Sequence, residues 1–409
     1  MKLHLSAPAS NLIKSNIKIT GSKSESNRLL LLQALYPQIT IANLSNSDDA
    51  QVMQKGLGIQ HGEVDIHHAG TAMRFLTGYF ASQEGKEVVL TGSQRMTERP
   101  IRVLVEALQS LGADIVYEKS QGYPPLRIKG KTLTMSKVSL PANISSQYIS
   151  SLLLIAPSLE NGLELELVGK ITSIPYIKMT LALLTQIGVE NSFEGNTIRI
   201  SPKTAVPRRD LVVESDWSSA SYFYSIVALC EVGTEITLSA YKKSSLQGDS
   251  VLSDMYTDFG VETVFHENSI VLRKTADVQL SMVNYDLTKA PDIAQTIAVS
   301  CFGLGIGCHL TGLHTLKIKE TDRLEALNTE LTKLGAPILV TDKTLSLQPS
   351  KHIKKEIAID TYHDHRMAMA FAPLALKTSL IVNDAGVVSK SYPDFWNDLK
   401  TMQFAIKAF

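Results

Sequence analysis

The sequence predicts an α/β protein made of six copies of one strand–helix–strand–helix–strand unit, three copies in each of two similar domains. Three patterns predict it: helices of two kinds alternate along the chain, short alternating runs separate them, and glycine closes most helices of the second kind. Six units in 409 residues give roughly seventy residues apiece, too long for the common solenoid repeats and suited to a subdomain.

Helices of the first kind open on a turn and continue in small and apolar residues. They are GSKSESNRLLLLQAL, AGTAMRFLTGYFA, NISSQYISSLLLIA, SDWSSASYFYSIVAL, APDIAQTIAVSCF and HDHRMAMAFAPLAL, starting near residues 21, 69, 143, 215, 290 and 363. Each is expected to be the buried helix of its unit. Helices of the second kind are amphipathic and partly exposed: SDDAQVMQKGLGI, ERPIRVLVEALQSLGADI, PYIKMTLALLTQIGVEN, GDSVLSDMYTDFGVETV and KETDRLEALNTELTKLGAPI, with SYPDFWNDLKTM a weaker sixth. Gly112, Gly188, Gly260 and Gly335 sit where a left-handed residue ends a helix. The runs EVVLTG, PLRIKG, LELELVG, TIRIS, EITLSA, SIVLRK, LSLQP and SLIVNDA read as strands. A polar stretch at 201–210, with Pro202, Pro207, Arg208 and Arg209, marks the approach to a crossing between the domains.

Composition is that of an ordinary globular protein, 44% hydrophobic and 20% charged. Zero formal net charge argues against a surface that coats nucleic acid, and leaves room for a local basic cleft. The start, MKLHLSAPASNLIKSN, has no apolar core of a signal peptide, and the most apolar stretch, 296–308, is too short to span a bilayer. Cys230, Cys301 and Cys308 lie in apolar surroundings without a C-x-x-C, the pattern of buried thiols in a reducing cytoplasm.

The helix starts carry the functional signal. A helix N-terminus is partly positive, so cations there are unfavourable unless an anion lies between them. Lys23 and Arg28 stand in the first such start, with Ser22 or Ser24 as its cap. Arg74 follows Thr71, Arg99 precedes Pro100, and Lys319 and Arg323 are four apart. Arg366 follows Asp364 and His365, and Lys390 precedes the last helix. The recurrence predicts that these starts converge on anions, and arginine clusters suit ligands bearing carboxylate and phosphate. Ser145, Ser146, Gln147 and Ser173 offer neutral donors, although capping explains the serine pair as well. Asp292 and Glu320 are acid/base candidates among the cations. An N-cap role for Asp292 and a first-turn acid for Glu320 are the competing readings, and Asp49 and Asp216 read as caps of other helices.

GSKSESNR, AGTAMRF, LTGSQRMTERP, the Ser145-Ser146-Gln147 triplet, SIPYI, VESDWSSASYF, LQGD, KETDRL and YHDHRMAMAF resemble, in order and over nearly the whole chain, the EPSP synthase (3-phosphoshikimate 1-carboxyvinyltransferase) family. Together these motifs are highly specific; singly they are weak. The resemblance implies two domains of three βαβαββ units, an inside-out α/β barrel arrangement with the active site in the interdomain cleft. It implies an N-terminal domain at 20–212 and a C-terminal domain of 1–19 with 213–409. The reaction implied moves the carboxyvinyl group of phosphoenolpyruvate to the 5-hydroxyl of shikimate 3-phosphate and releases phosphate. Carried over, Lys23, Ser24, Arg28, Ser145, Ser146, Gln147, Ser173 and Lys319 hold shikimate 3-phosphate, with Tyr176 near its ring and Asp292 near its reacting hydroxyl. Lys23, Gly70, Arg99, Gln147, Arg323, Arg366 and Lys390 hold phosphoenolpyruvate. Asp292 is the proton acceptor and Glu320 the donor, with Lys23 as a third catalytic group. No cofactor or metal is expected, nor a nucleic-acid or membrane partner; a cytoplasmic monomer is expected.

The chain departs from the family at His68 (usually Asn), Phe75 (usually Pro) and Thr315 (often Asn), the first two near the phosphoenolpyruvate pocket. Gly70 is the small residue that the family associates with glyphosate sensitivity, so inhibition is expected. The related UDP-N-acetylglucosamine carboxyvinyltransferases carry a cysteine in the loop that here reads GSQRMTERP. GLGIG at 303–307 has the wrong spacing for a dinucleotide fingerprint, and Arg366 beside His363-Asp364-His365 disfavours a cation. A non-catalytic anion-binding relative would need neither Asp292 nor Glu320.

Overall fold

All eight runs read as strands are strands, and all eight lie in the middle of sheets. The structure, a computed structural model, describes residues 1–143, 145–169, 171 and 174–409. Among these the strands make five four-stranded sheets and one two-stranded sheet. One sheet sets the pattern. His61–Asp65 runs parallel to Glu87–Thr91, which pairs antiparallel with Leu126–Lys129, whose other edge takes Asp114–Tyr117 antiparallel. The sheets centred on Leu163–Val168, Glu235–Ser239, Gly307–Thr311 and Leu380–Val382 repeat this order of one parallel and two antiparallel pairs. The first unit departs from six full copies: Ile39–Ala42 pairs only with Arg209–Val212, in parallel.

Most outer strands escaped the sequence reading for a physical reason, although the alternation at Ile17 and Ile19 does mark Lys14–Ile17. His61–Asp65 buries only Val64, and Ile338–Val340 buries no residue fully. Exposed on both faces, an edge strand has little alternation to read. Two central strands were missed: Leu3–Ser6, at the start of the chain, and Gly307–Thr311, whose glycine and Cys308 merge with the apolar helix before it.

By contacts the chain falls into two units, Met1–Thr20 with Glu214–Phe409, and Gly21–Val213. The opening residues are built into the first of these. Leu3–Ser6 inserts between Leu380–Val382 and Ala405–Ala408, and Lys14–Ile17 lies parallel to Glu235–Ser239.

Each unit gathers apolar helices at its centre. In the Gly21–Val213 unit these are Lys23–Leu35, Gly70–Ala81 and Ser146–Ile155; the middle one is buried at every residue. A Cβ at Gly78 would lie 2.5 Å from Ser151 Oγ, so only glycine lets these two helices cross so closely. In the other unit, Trp217–Leu229, Ala294–Leu304 and His365–Phe371 take the same part, and a Cβ at Gly303 would meet Leu229 at 2.7 Å and Leu374 at 2.8 Å.

The amphipathic helices end as expected: Gly112, Gly188, Gly260 and Gly335 all have φ between 73° and 108°. One segment differs. GDSVLSDMYTDF is not a single α-helix but two tight turns, Gly248–Val251 and Tyr256–Phe259, around Leu252–Met255. Its ends are fixed by tertiary bonds, from Ser218 to Asp249 and from Lys274 Nζ to the Phe259 carbonyl at 2.7 Å. Among the described residues no helix is long and apolar enough to cross a membrane.

Leu5 is fully buried in the strand that completes the last sheet. Leu5→Ala is expected to destabilise its unit by about 2–5 kcal/mol. Hydrogen exchange should then rise in Leu380–Val382 and Ala405–Ala408 while Gly70–Ala81 keeps its protection.

Candidate active site

In the Gly21–Val213 unit, Lys23 begins the first central helix and Arg28 sits one turn further in. Ser22 holds the cap position, but its side chain caps nothing. Arg28 is buried and donates to neutral oxygens: Nε to Thr180 Oγ1 at 2.8 Å, NH1 to the Ser24 carbonyl at 2.7 Å and NH2 to Ser150 Oγ at 2.9 Å. Its guanidinium carbon lies 5.4 Å from the Phe75 ring centroid and 6.0 Å from that of Tyr176. Burial pushes the Arg28 pKa down to about 10, against the opposing pull of Tyr176 and Glu25. Lys23 Nζ stands 3.6 Å from Asp49 Oδ2. Asp49 is therefore not the cap expected of it; Ser47 caps that helix, accepting from the Ala50 N–H.

Arg74 is a second buried arginine of this kind. It donates to the Gly70 and Pro100 carbonyls and lies 5.8 Å from the Tyr148 ring. Burial, with Arg99 adding repulsion, brings it also to about 10. Arg99 itself lies over Gly70: a Cβ there would meet its NH1 at 2.7 Å. Gln147 Nε2 donates to Thr71 Oγ1 at 3.1 Å, which joins the starts of the second and third central helices. Ser145 caps the third, accepting from the Gln147 N–H, with Ser146 next to it. Tyr176 opens the amphipathic helix Ile174–Gln186, and Ser173 lies outside the described residues.

The other unit is arranged the opposite way. Arg323 begins the helix Arg323–Leu334 and is 1% exposed. Its fork meets three carboxylates: Nε to Asp364 at 2.6 Å, NH1 to Asp292 at 2.7 Å and NH2 to Glu320 at 2.7 Å. Burial alone would lower the Arg323 pKa, but Asp364, Glu320 and Asp292 hold it above the usual arginine range. Asp292 also has Lys319 Nζ at 3.5 Å and Arg366 NH2 at 3.6 Å. Arg366 donates NH1 to the Asp292 carbonyl at 3.2 Å, and Lys390 Nζ to the His363 carbonyl at 2.8 Å.

The helix termini explain this convergence. Asp292 stands inside the tight turn Pro291–Ile293, and the cap positions of that turn and of the helix after it fall to Ala290 and Ile293, so the N-cap alternative does not hold. Asp364 caps His365–Phe371 through the Arg366 N–H at 2.8 Å, and Asp322 caps the Arg323 helix. Asp216 occupies a cap position but leaves the capping to Gln247, whose Oε1 accepts from the Trp217 N–H at 2.9 Å. Glu320 is the least enclosed acid of the group, its side chain 34% exposed. His363 faces Asp384, and among the described residues no set of three or more His, Cys, Asp and Glu side chains is placed for a metal ion.

The sequence reading gave no role to Asp364, the fully buried third partner of Arg323, and counted Arg74 among the helix-start cations without placing it in a substrate set. An acid at a cap position directly before His365 and Arg366 was the available sign for Asp364. Of the departures, Phe75 is buried against Arg28, and Thr315 Oγ1 is buried without a hydrogen-bond partner among the described residues.

Arg323→Met would leave Asp292 and Asp364 buried without their shared cation. A loss of about 3–5 kcal/mol in urea unfolding is expected, with Glu320→Gln, at the exposed end of the fork, costing about 1 kcal/mol or less.

Comparison with known proteins gives one answer. The family description EPSP synthase (3-phosphoshikimate 1-carboxyvinyltransferase) matches residues 57–399. A 3-phosphoshikimate 1-carboxyvinyltransferase of Bacteroides fragilis (strain YCH46) is 44% identical over 414 residues, covering 100% of this chain and 99% of the relative. The Colwellia psychrerythraea enzyme of the same name is 37% identical, covering 95% of this chain and 96% of its own. Among solved structures, EPSP synthase from Acinetobacter baumannii shares the fold at a TM-score of 0.81 and 20% identity, over 100% of both chains. The enolpyruvyl transferase NikO from Streptomyces tendae follows at a TM-score of 0.72 and 13% identity, covering 99% of this chain and 98% of its own. The family match and the full-length relatives agree with the chemistry of the two sets of helix starts: this chain belongs to the EPSP synthase family.

Proposed function

We propose that this protein transfers the carboxyvinyl group of phosphoenolpyruvate to the 5-hydroxyl of shikimate 3-phosphate, releasing phosphate, as part of aromatic amino-acid biosynthesis. The observation that carries the reading is the Arg323 fork, which brings Asp292 and Glu320 together on one buried cation with Lys319 and Arg366 against Asp292.

The reaction needs one acid and one base about a single carbon. In addition, the hydroxyl oxygen bonds to the enol carbon, loses its proton, and the methylene end gains one. In elimination that methyl group gives a proton back as the carbon–oxygen bond to phosphate breaks. Asp292, enclosed by three cations, takes the hydroxyl proton; Glu320, the exposed and movable acid, serves the methylene end. Arg323 reaches substrate as Glu320 gives up its NH2, which couples substrate entry to release of the acid.

Arg28 is the other half of the reading. A guanidinium whose hydrogen bonds go to neutral oxygens, and which burial depresses in spite of Tyr176 and Glu25, gains from a further negative charge, and a phosphate dianion supplies it. Lys23, Ser24, Ser145, Ser146, Gln147, Ser173, Tyr176 and Lys319 complete the shikimate 3-phosphate set. Gly70, Arg99, Arg366 and Lys390, with Lys23, Gln147 and Arg323, hold phosphoenolpyruvate. We take the chain as an N-terminal domain at 20–212 and a C-terminal domain of 1–19 with 213–409, each supplying part of both sets. The reading takes the protein as a monomer of the cytoplasm, a reducing compartment that suits the free, buried thiols of Cys230, Cys301 and Cys308.

Mixing the protein with both substrates in chelator should release one phosphate per turnover, followed by a phosphate assay; no release, or release only with added metal, would sink the reading. Asp292→Asn and Glu320→Gln should each lower kcat about a hundredfold or more. Were turnover and binding unaffected in both, the anion-binding alternative would stand. Arg28→Ala should raise KM for shikimate 3-phosphate about tenfold or more and leave that for phosphoenolpyruvate nearly unchanged. Gly70→Ala, by displacing Arg99, should do the reverse.

A further inference from the structure

Asp249 belongs to neither substrate set. It lies in the tight turn Gly248–Val251 and is buried, 7% exposed. Its Oδ2 accepts the hydroxyl proton of Ser218, the second residue of the helix Trp217–Leu229. The same Ser218 oxygen accepts from Arg366 NH2 at 3.2 Å. Arg366 in turn donates NH1 to the Asp292 carbonyl at 3.2 Å and holds NH2 3.6 Å from Asp292 Oδ2. A continuous line of contacts thus runs from Asp249 through Ser218 and Arg366 to Asp292.

The chemistry of a hydroxyl gives this line a direction. Ser218 has one proton; while it goes to Asp249, only lone pairs face Arg366. The surroundings keep the serine in place, because Gln247, two residues before Asp249, accepts from the Trp217 N–H and donates Nε2 to the Ser215 carbonyl at 2.9 Å. We propose that Asp249 is a positioning residue for carboxyvinyl transfer: by holding the Ser218 hydroxyl it aims Arg366 at Asp292 and at the anion of phosphoenolpyruvate. The proposal rests on the reading above that Arg366 meets phosphoenolpyruvate.

The groups that face Asp249 set its pH response. Burial raises its pKa most, and Asp292, from the turn Pro291–Ile293, adds to the rise. Arg366 and the Ser218 hydroxyl oppose it, Asp216 adds a smaller push, and the carboxyl is raised to about 6. Protonated, Asp249 no longer requires the serine proton, which is free to turn toward Arg366 and repel it. Alignment is therefore lost as pH falls through about 6. Stability runs the other way: a carboxyl raised from 3.8 favours the folded state when neutral, and that advantage fades as pH rises through about 6.

The test compares wild type with Asp249→Asn, Ser218→Ala and the double variant in phosphoenolpyruvate kinetics from about pH 5 to about pH 9. Asp249→Asn should raise KM for phosphoenolpyruvate about tenfold with kcat within about threefold. It should lose the acid inflection near pH 6 and unfold no earlier than wild type at alkaline pH, a combination that scaffold damage does not produce. Ser218→Ala should give the same KM rise, and the double variant should match the single ones within about twofold. The proposal is overturned if the inflection persists in Asp249→Asn, if KM for phosphoenolpyruvate is unchanged, or if the two substitutions multiply. Should Asp249→Asn fail to fold, Ser218→Ala decides alone by its KM. Absent wild-type turnover sinks the underlying reading, whereas normal turnover with an unmoved Asp249→Asn profile sinks only this inference.

Discussion

One buried guanidinium ties together the helix starts of the unit Met1–Thr20 with Glu214–Phe409. Arg323 takes a carboxylate on each of its three nitrogens, and the three come from three separate helix starts. Asp292 arrives from a tight turn, Glu320 from the residues before the Arg323 helix, and Asp364 from the cap of another. A cation at a helix N-terminus opposes the dipole, so the arrangement depends on the acids that surround it. Removing any one of them changes the charge felt by the other two.

The two units balance their charges differently, and this difference is what suits them to anions. Arg28 and Arg74 sit among neutral oxygens and aromatic rings and are depressed by burial. Arg323 and Arg366 are raised by neighbouring acids in spite of theirs. A further anion would therefore gain most beside Arg28, whereas the guanidinium of Arg323 is already matched by carboxylates.

The parts of this plan that were legible in the sequence are those with a strong local signature. Central strands such as Leu163–Val168 bury every second residue and could be read; edge strands such as His61–Asp65 could not. The six apolar helices stood out as runs of small and apolar residues behind a polar turn, and the left-handed glycines marked where others stop. Misplaced cations drew attention to Lys23, Arg28 and Arg323, since a local electrostatic conflict is visible without a fold. Asp364, Asp249 and Ser218 escaped notice because each looks like an ordinary cap or turn residue. Their importance comes from partners far along the chain, 41 residues for Asp364 and Arg323 and 148 for Ser218 and Arg366. Asp49 was misjudged for the same reason: its partner Lys23 lies on another helix.

The central claim is that the Arg323 fork aligns two acids for proton transfer and does more than supply positive charge. Arg323→Lys keeps the charge and removes the fork, so deuterium entry from heavy water into the methylene group of phosphoenolpyruvate, with shikimate 3-phosphate present, tests it directly. The account predicts that this exchange slows about a hundredfold while phosphoenolpyruvate affinity falls less than about tenfold. Exchange at the wild-type rate in Arg323→Lys would contradict it.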